Sequence, residues 1–134
     1  MKELTAEWVS KAENDIEVAR LARYHAEVPI SDAVCFHSQQ CAEKYLKAFL
    51  QEHRIRFPYT HPLIPLLEMC LPLDLGFESL RVDLDRLDGY AVAARYPGVP
   101  VTIEMADEAL EAAGQVRDFI QIRLQSTADE RASE

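Results

Sequence analysis

The stretch HSQQCAEKYLKAFL, His37 to Leu50, sets Gln40, Glu43, Lys44 and Lys47 at three- and four-residue spacing. On a helix, Gln40, Glu43 and Lys47 fall on nearly one face, with Lys44 one position round. Two chemistries suit such a patch. Glu43 and Lys47 at i, i+4 can pair in solvent, supporting the helix by about 0.2–0.5 kcal/mol. Alternatively, the ammonium groups and the amide line a pocket for an anion. Asp15 bears on the choice, because it stands on a stripe with Trp8, Ala12, Ile16, Ala19 and Ala22. A carboxylate there is costly unless a cation or donor meets it. Lys44, Lys47 or an arginine can do so, and the resulting network would either fix the register of two helices or line a small-ligand site.

A second constellation is AARYPG, which places Arg95 and Tyr96 just before a proline-glycine turn, with Tyr90 upstream. Pro97 disfavours helix at Tyr96, so Arg95 should sit at a helix end, where a guanidinium complements exposed carbonyls. An arginine flanked by two tyrosines can equally hold a phosphate and stack on a base. His61 follows Thr60 and opens a short helix, where an imidazole serves as a cap or bonds a neighbouring turn. His25, His37 and His53 have no cysteine or carboxylate partner at metal-ligand spacing and read as surface or boundary residues. Neither a metal nor a cofactor is expected.

These residues must be positioned by helices. Apolar residues recur at three- and four-residue spacing throughout, and no segment alternates with a period of two. The first helix should span Thr5 to Tyr24, with Thr5 as N-cap. The second should run from a Ser31 or Asp32 cap to about His53, burying Val34, Ser38, Cys41, Ala42, Tyr45 and Phe49. A short third helix, capped by Thr60 or His61, should bury Leu63, Leu66, Leu67 and Cys70 and stop before Pro72. The fourth, Phe77 to Ala94, sets Phe77, Leu80, Leu84, Leu87 and Ala91 on one face. The fifth runs from a Thr102 cap through Ala106, Leu110, Ala113, Val116, Ile120 and Leu124. The fold class is therefore all-α, an antiparallel up-and-down bundle of four to five helices over residues 1–124, with 125–134 a disordered polar tail.

At 134 residues and 49% hydrophobic the chain can bury one core. The three cysteines, Cys35, Cys41 and Cys70, contain no C-x-x-C pair and read as buried structural thiols. No apolar run reaches the roughly 20 residues of a membrane span, and the polar amino terminus is unlike a signal peptide, so a cytoplasmic protein is expected. The net charge of −9 argues against broad, unspecific nucleic-acid binding but leaves room for a local basic site. Apolar residues beyond the single stripes, Val9, Val34, Phe36 and Leu50, should be left over for a second copy.

Taken in order, Trp8, Ala12 and Asp15, then QQCAEKYLKAFL, THPL and ARYP followed by a capped helix, resemble the HEPN domain, the higher eukaryote and prokaryote nucleotide-binding helical family. The resemblance spans about Leu4 to Leu124. It implies a helical bundle that dimerises and often partners a small nucleotidyltransferase in two-protein modules, many of them toxin-antitoxin pairs. In ribonuclease members an R-x(4-6)-H motif near the start of a late helix forms a metal-independent site across the dimer. Here Arg20 with His25, and Arg54 or Arg56 with His61, match that spacing but lie early, and no histidine follows Leu80. The expectation is thus a homodimeric accessory or nucleotide-binding partner of a nucleotidyltransferase, with Asp15, Gln40, Glu43, Lys44, Lys47, Arg95 and Tyr96 as the candidate ligand locus and no catalytic residues. A ribonuclease using Arg56 and His61 on RNA, and a purely structural interaction module, are the alternatives.

Overall fold

The helical spacing is realised in a computed structural model that describes the backbone of residues 1–133 and the side chains of residues 1–126. The order is α1 (Glu3–Tyr24), α2 (Ser31–Glu52), α3 (Leu63–Cys70), a 3₁₀ segment (Leu75–Leu80), α4 (Arg81–Arg95) and α5 (Ile103–Ser133). No strand occurs among the described residues, and none of their helices is long and apolar enough to cross a membrane. The polar tail expected at 125–134 lies, beyond Ser126, outside the described side chains.

All five helices stand where the apolar period places them, and α2 is the centre, packing against α1, α3, α4 and α5. The expected stripes are buried: Ala12, Ile16, Ala19 and Ala22 on α1, Leu84, Leu87 and Ala91 on α4, and Ala106, Ala113, Val116 and Ile120 on α5. Val34 and Leu50 are fully buried inside the chain, which corrects their reading as surplus apolar surface; a surrounded helix buries more than one stripe. Cys35, Cys41 and Cys70 are buried free thiols, and burial pushes Cys35 up to about 11 and Cys70 up to about 12.

The helix starts differ from expectation in an instructive way. Thr5 is not a cap but a buried residue of α1, whose hydroxyl donates to Glu52 Oε1 at 3.0 Å. Ser31 and Asp32 lie inside the first turn of α2, whose N-cap position is Ile30. For α3 the cap is neither Thr60 nor His61: the N-cap position is Pro62, and the carboxylate of Asp88 on α4 accepts from the Leu63 N–H at 2.9 Å. A tertiary contact therefore does the work of a local cap. Thr102 does cap α5, accepting from the Met105 N–H at 3.1 Å. The fourth segment begins as 3₁₀ at Leu75 and becomes α-helical at Arg81.

The end of α2 is also unusual. The Ile55 N–H bonds the Leu50 carbonyl at 2.9 Å and the Arg54 N–H bonds Gln51 at 3.1 Å, the paired closure that ends many helices. That closure puts Arg54 at φ +58°, a position glycine usually fills.

Three helices are tied by one polar bridge. Arg117 on α5 donates to both oxygens of Glu13 on α1, at 2.8 and 2.9 Å, and the Tyr45 hydroxyl on α2 donates to Glu13 at 2.8 Å. Those hydrogen bonds, led by Arg117, hold the Glu13 carboxyl below its ordinary 4.5 despite partial burial. A carboxyl lowered on folding stabilises fully above its unfolded value, and that stability is lost as pH falls from 4.5 through the folded value. Glu13→Gln is therefore expected to lower stability at pH 7 by under about 1 kcal/mol, because the pair is partly solvated. It should also flatten the loss of stability on acidification, read from urea unfolding across that range. A variant with the wild-type acid slope would contradict this assignment.

Candidate functional site

The polar patch of α2 faces inward. Glu43 and Lys47 are 3% and 4% exposed, and Lys47 Nζ donates to Glu43 Oε2 at 3.0 Å. Glu43 Oε1 lies 3.1 Å from His61 Nδ1 and 3.4 Å from Gln40 Nε2. The Lys47 ammonium also sits 5.5 Å from the Trp8 ring centroid and 5.9 Å from that of Phe57, so aromatic faces from α1 and the α2–α3 connection close over it. The i, i+4 pair forms as the spacing suggests, but as a buried pair.

Asp15, 7% exposed, repeats the pattern one turn away on the partner helix. Its Oδ2 accepts from Lys44 and its Oδ1 from His37 Nδ1 at 2.8 Å. His37 is thus no boundary residue but part of the α1–α2 joint. In both clusters a buried carboxylate meets one lysine ammonium and one histidine Nδ1, which leaves Nε2 of each ring as the nitrogen outside the pair. The two histidines differ in access, with the His61 side chain 66% exposed and that of His37 29%.

Two residues at this site escaped the sequence reading. Gln39 is buried, donating to the His61 carbonyl at 2.8 Å and to Asp88 Oδ1 at 3.1 Å, and accepting from Gln40 at 2.9 Å. Asp88 thereby fixes both the start of α3 and the Gln39 amide. Burial pushes the Asp88 carboxyl up, and hydrogen bonds from the Leu63 N–H, Gln39 and the Ile64 N–H oppose that rise. Its spacing, four after Leu84 and three before Ala91, sets it at the edge of the buried stripe and was the available signal.

A cavity of about 130 Å³ opens beside this cluster, walled by Gln39, His61, Pro62, Asp88, Ala91 and Arg95. Arg95 ends α4, its guanidinium 5.2 Å from the Phe36 ring centroid, and it meets no carboxylate among the described residues. Tyr96 follows in extended conformation and is exposed. Gly98, at φ +99° directly after Pro97, lets the chain turn there. The candidate locus thus divides. Asp15, Glu43, Lys44 and Lys47 satisfy one another, Gln40 spans Gln39 and Glu43, and Arg95 and Tyr96 face outward. Arg56 and His61 line different cavities, since Arg56 belongs to a larger groove with Leu4, Trp8 and Tyr59.

This geometry sits in a fold with relatives. The chain belongs to the HEPN domain family, whose model matches residues 5–123. It is similar to TT1696 from Thermus thermophilus, at 26% identity and a TM-score of 0.72 over 90% of this chain and 98% of that one. It is also similar to ST0689, an archaeal HEPN homologue, at 26% identity and a TM-score of 0.69 over 92% and 98% of the two chains. No curated protein matches.

The buried pair makes an asymmetric prediction. Glu43→Ala strands the Lys47 ammonium against aromatic rings and should cost about 3–5 kcal/mol. Lys47→Ala should cost less, because His61 and Gln40 still meet the carboxylate. The double variant Glu43→Leu with Lys47→Met should cost far less than the sum. Denaturant midpoints of the variants check this, and two single losses below about 0.5 kcal/mol would return the patch to solvent.

Proposed function

We propose that this chain is the accessory, nucleotide-binding half of a two-protein module, a homodimer acting beside a small nucleotidyltransferase in a toxin-antitoxin-like pair. One observation carries the ligand part of this reading: an exposed arginine, Arg95, which meets no carboxylate among the described residues, stands at the rim of a cavity shared with His61 and next to the exposed Tyr96. A guanidinium free of carboxylates is available to phosphate, and a phenol ring beside it to a base. Membership of the HEPN family supports the pairing with a nucleotidyltransferase by resemblance alone.

Support for a second copy comes from one end of the bundle. Arg23 at the end of α1 pairs with Asp107 at the start of α5, which brings the α1–α2 turn and the α4–α5 connection to that end. Tyr24, Val28 and Ile30 on the first, and Tyr96, Val99 and Ile103 on the second, are exposed large apolar residues. Clusters of this kind mark interaction surfaces. Arg95 lies at the same end, so a partner copy seated there would wall the ligand site.

Adenine and guanine nucleotides are expected to raise the melting temperature of the wild type, and Arg95→Ala should abolish the shift while the apo protein stays folded. Light scattering on the same samples should give a mass near twice the 15.2 kDa of one chain. A flat calorimetric titration with the dimer intact would sink the nucleotide reading, and a concentration-independent monomer the dimer.

The ribonuclease alternative keeps one specific support. Glu43 orients the exposed His61 imidazole by its Nδ1, leaving Nε2 for proton transfer, and Arg95 rather than Arg56 shares its cavity. The leading reading expects no cleavage of single-stranded or structured RNA without added metal. Cleavage that disappears in His61→Ala, with folding retained, would replace it with the enzyme.

A further inference from the structure

The opposite end of the bundle carries a larger concavity than the one beside His61. Its volume is about 750 Å³, and Trp8, Phe57 and Tyr59 supply aromatic walls while Gln51, Arg54 and Arg56 supply the polar ones. No carboxylate lines it among the described residues. Leu4 and Trp8 separate it from a smaller cavity of about 170 Å³ that holds Lys11 and one acid, Glu7.

Three features set this groove apart from ordinary surface. First, in a chain of net charge −9 half of the ten arginines are neutralised in place: Arg20, Arg23, Arg81, Arg117 and Arg123 each meet a carboxylate. Arg54 and Arg56 meet none among the described residues. Second, Tyr59 is 98% exposed beside the half-buried Trp8 and Phe57, so ring surface stands in water where burial would be favoured. Third, Arg54 occupies a left-handed position at φ +58° that glycine would fill without strain. Strained residues of this kind cluster where a side chain is wanted at one place.

We propose that this groove binds single-stranded nucleic acid, with Arg54 and Arg56 on the phosphates and Trp8 and Tyr59 as stacking surfaces for bases. Unpaired guanidinium groups interleaved with aromatic rings are what sequence-tolerant single-strand recognition uses. Gln51 adds a donor and an acceptor suited to a base edge. The volume lies within the range of about 300–1,000 Å³ that small ligands fill, room for a base with its sugar and phosphate. The site is distinct from the proposed nucleotide site in residues and in position, at the α1 start and α2 end rather than beside Arg95. An acidic peptide would satisfy the arginines but would leave the ring faces without π partners.

Trp8 is the sole tryptophan, so its fluorescence reports the groove directly. Titration of the full chain with a short labelled single-stranded RNA or DNA should quench Trp8 and raise the label's anisotropy. Arg56→Ala should weaken binding at least tenfold and reduce the salt slope by about 0.7 per lost phosphate contact. Arg54→Gly is the sharper variant, because relief of the left-handed strain should raise its melting temperature while binding weakens, so lost binding cannot be laid to misfolding. Arg95→Ala should leave the quenching unchanged, which separates this outcome from failure of the nucleotide reading. Absence of quenching in the wild type, full binding by both arginine variants, or equal displacement by poly-glutamate would each overturn the proposal, the last in favour of an acidic protein partner.

Discussion

The structure turns on a pair of charges almost wholly withdrawn from water. Helix α2 is surrounded by four others, yet its sequence carries Glu43 and Lys47, and both are buried. On a solvated helix the same pair would contribute a few tenths of a kcal/mol, about what any i, i+4 pair gives. Enclosed, it becomes a constraint, because neither charge can be left without its partner. His61 must arrive from the α2–α3 connection to meet Glu43, and Trp8 and Phe57 must arrive to cover Lys47. Both requirements restrict the rotation of α1 and the path of the connection. An apolar pair of the same volume would hold the core as well, so the ion pair is better understood as choosing the register than as adding stability.

That constraint explains which parts of the molecule could be read from the chain. Helices α1 to α5 were legible because their stripes keep the 3.6-residue period, and Arg95 was placed at a helix end because Pro97 forbids continuation. Caps were legible only where they are local, as at Thr102. At Thr5 and Leu63 the partner comes from Glu52 and Asp88, 47 and 25 residues away, and no short-range signal encodes that. The patch of Gln40, Glu43, Lys44 and Lys47 was visible as a patch. Its burial was not, since an amphipathic pattern shows which residues share a face and is silent on what covers that face. Arg54 was hidden for the converse reason: the glycine that announces a left-handed helix end is missing there.

The same packing sorts the cations. Those within α2 are consumed by Asp15 and Glu43, which leaves the central network electrically closed and rigid. Lys44 thereby ties α2 to α1 through Asp15, while Lys47 bears on the positions of Trp8 and Phe57. Among the described residues the arginines without a carboxylate partner are Arg86 on α4, Arg95 by the α4–α5 turn, and Arg54 and Arg56 after α2.

An acidic protein with locally basic ends is not a contradiction. At physiological ionic strength charges are screened beyond about 8 Å, so the mean charge governs solubility and slow approach while a bound anion feels its immediate neighbours. In the groove after α2 those neighbours are two guanidinium groups, three aromatic rings and an amide, with no acid in the wall among the described residues. Beside Arg95 the neighbours include Asp88, but that carboxylate is occupied by the Leu63 N–H and Gln39 and presents little free charge. The acids that make the chain −9 overall are thus either spent on internal partners or placed elsewhere on the surface, and each end keeps a field of its own. The buried pair in α2 makes this possible, since by fixing the covering loop it decides that Arg54 and Arg56 emerge beside Trp8 rather than beside an acid.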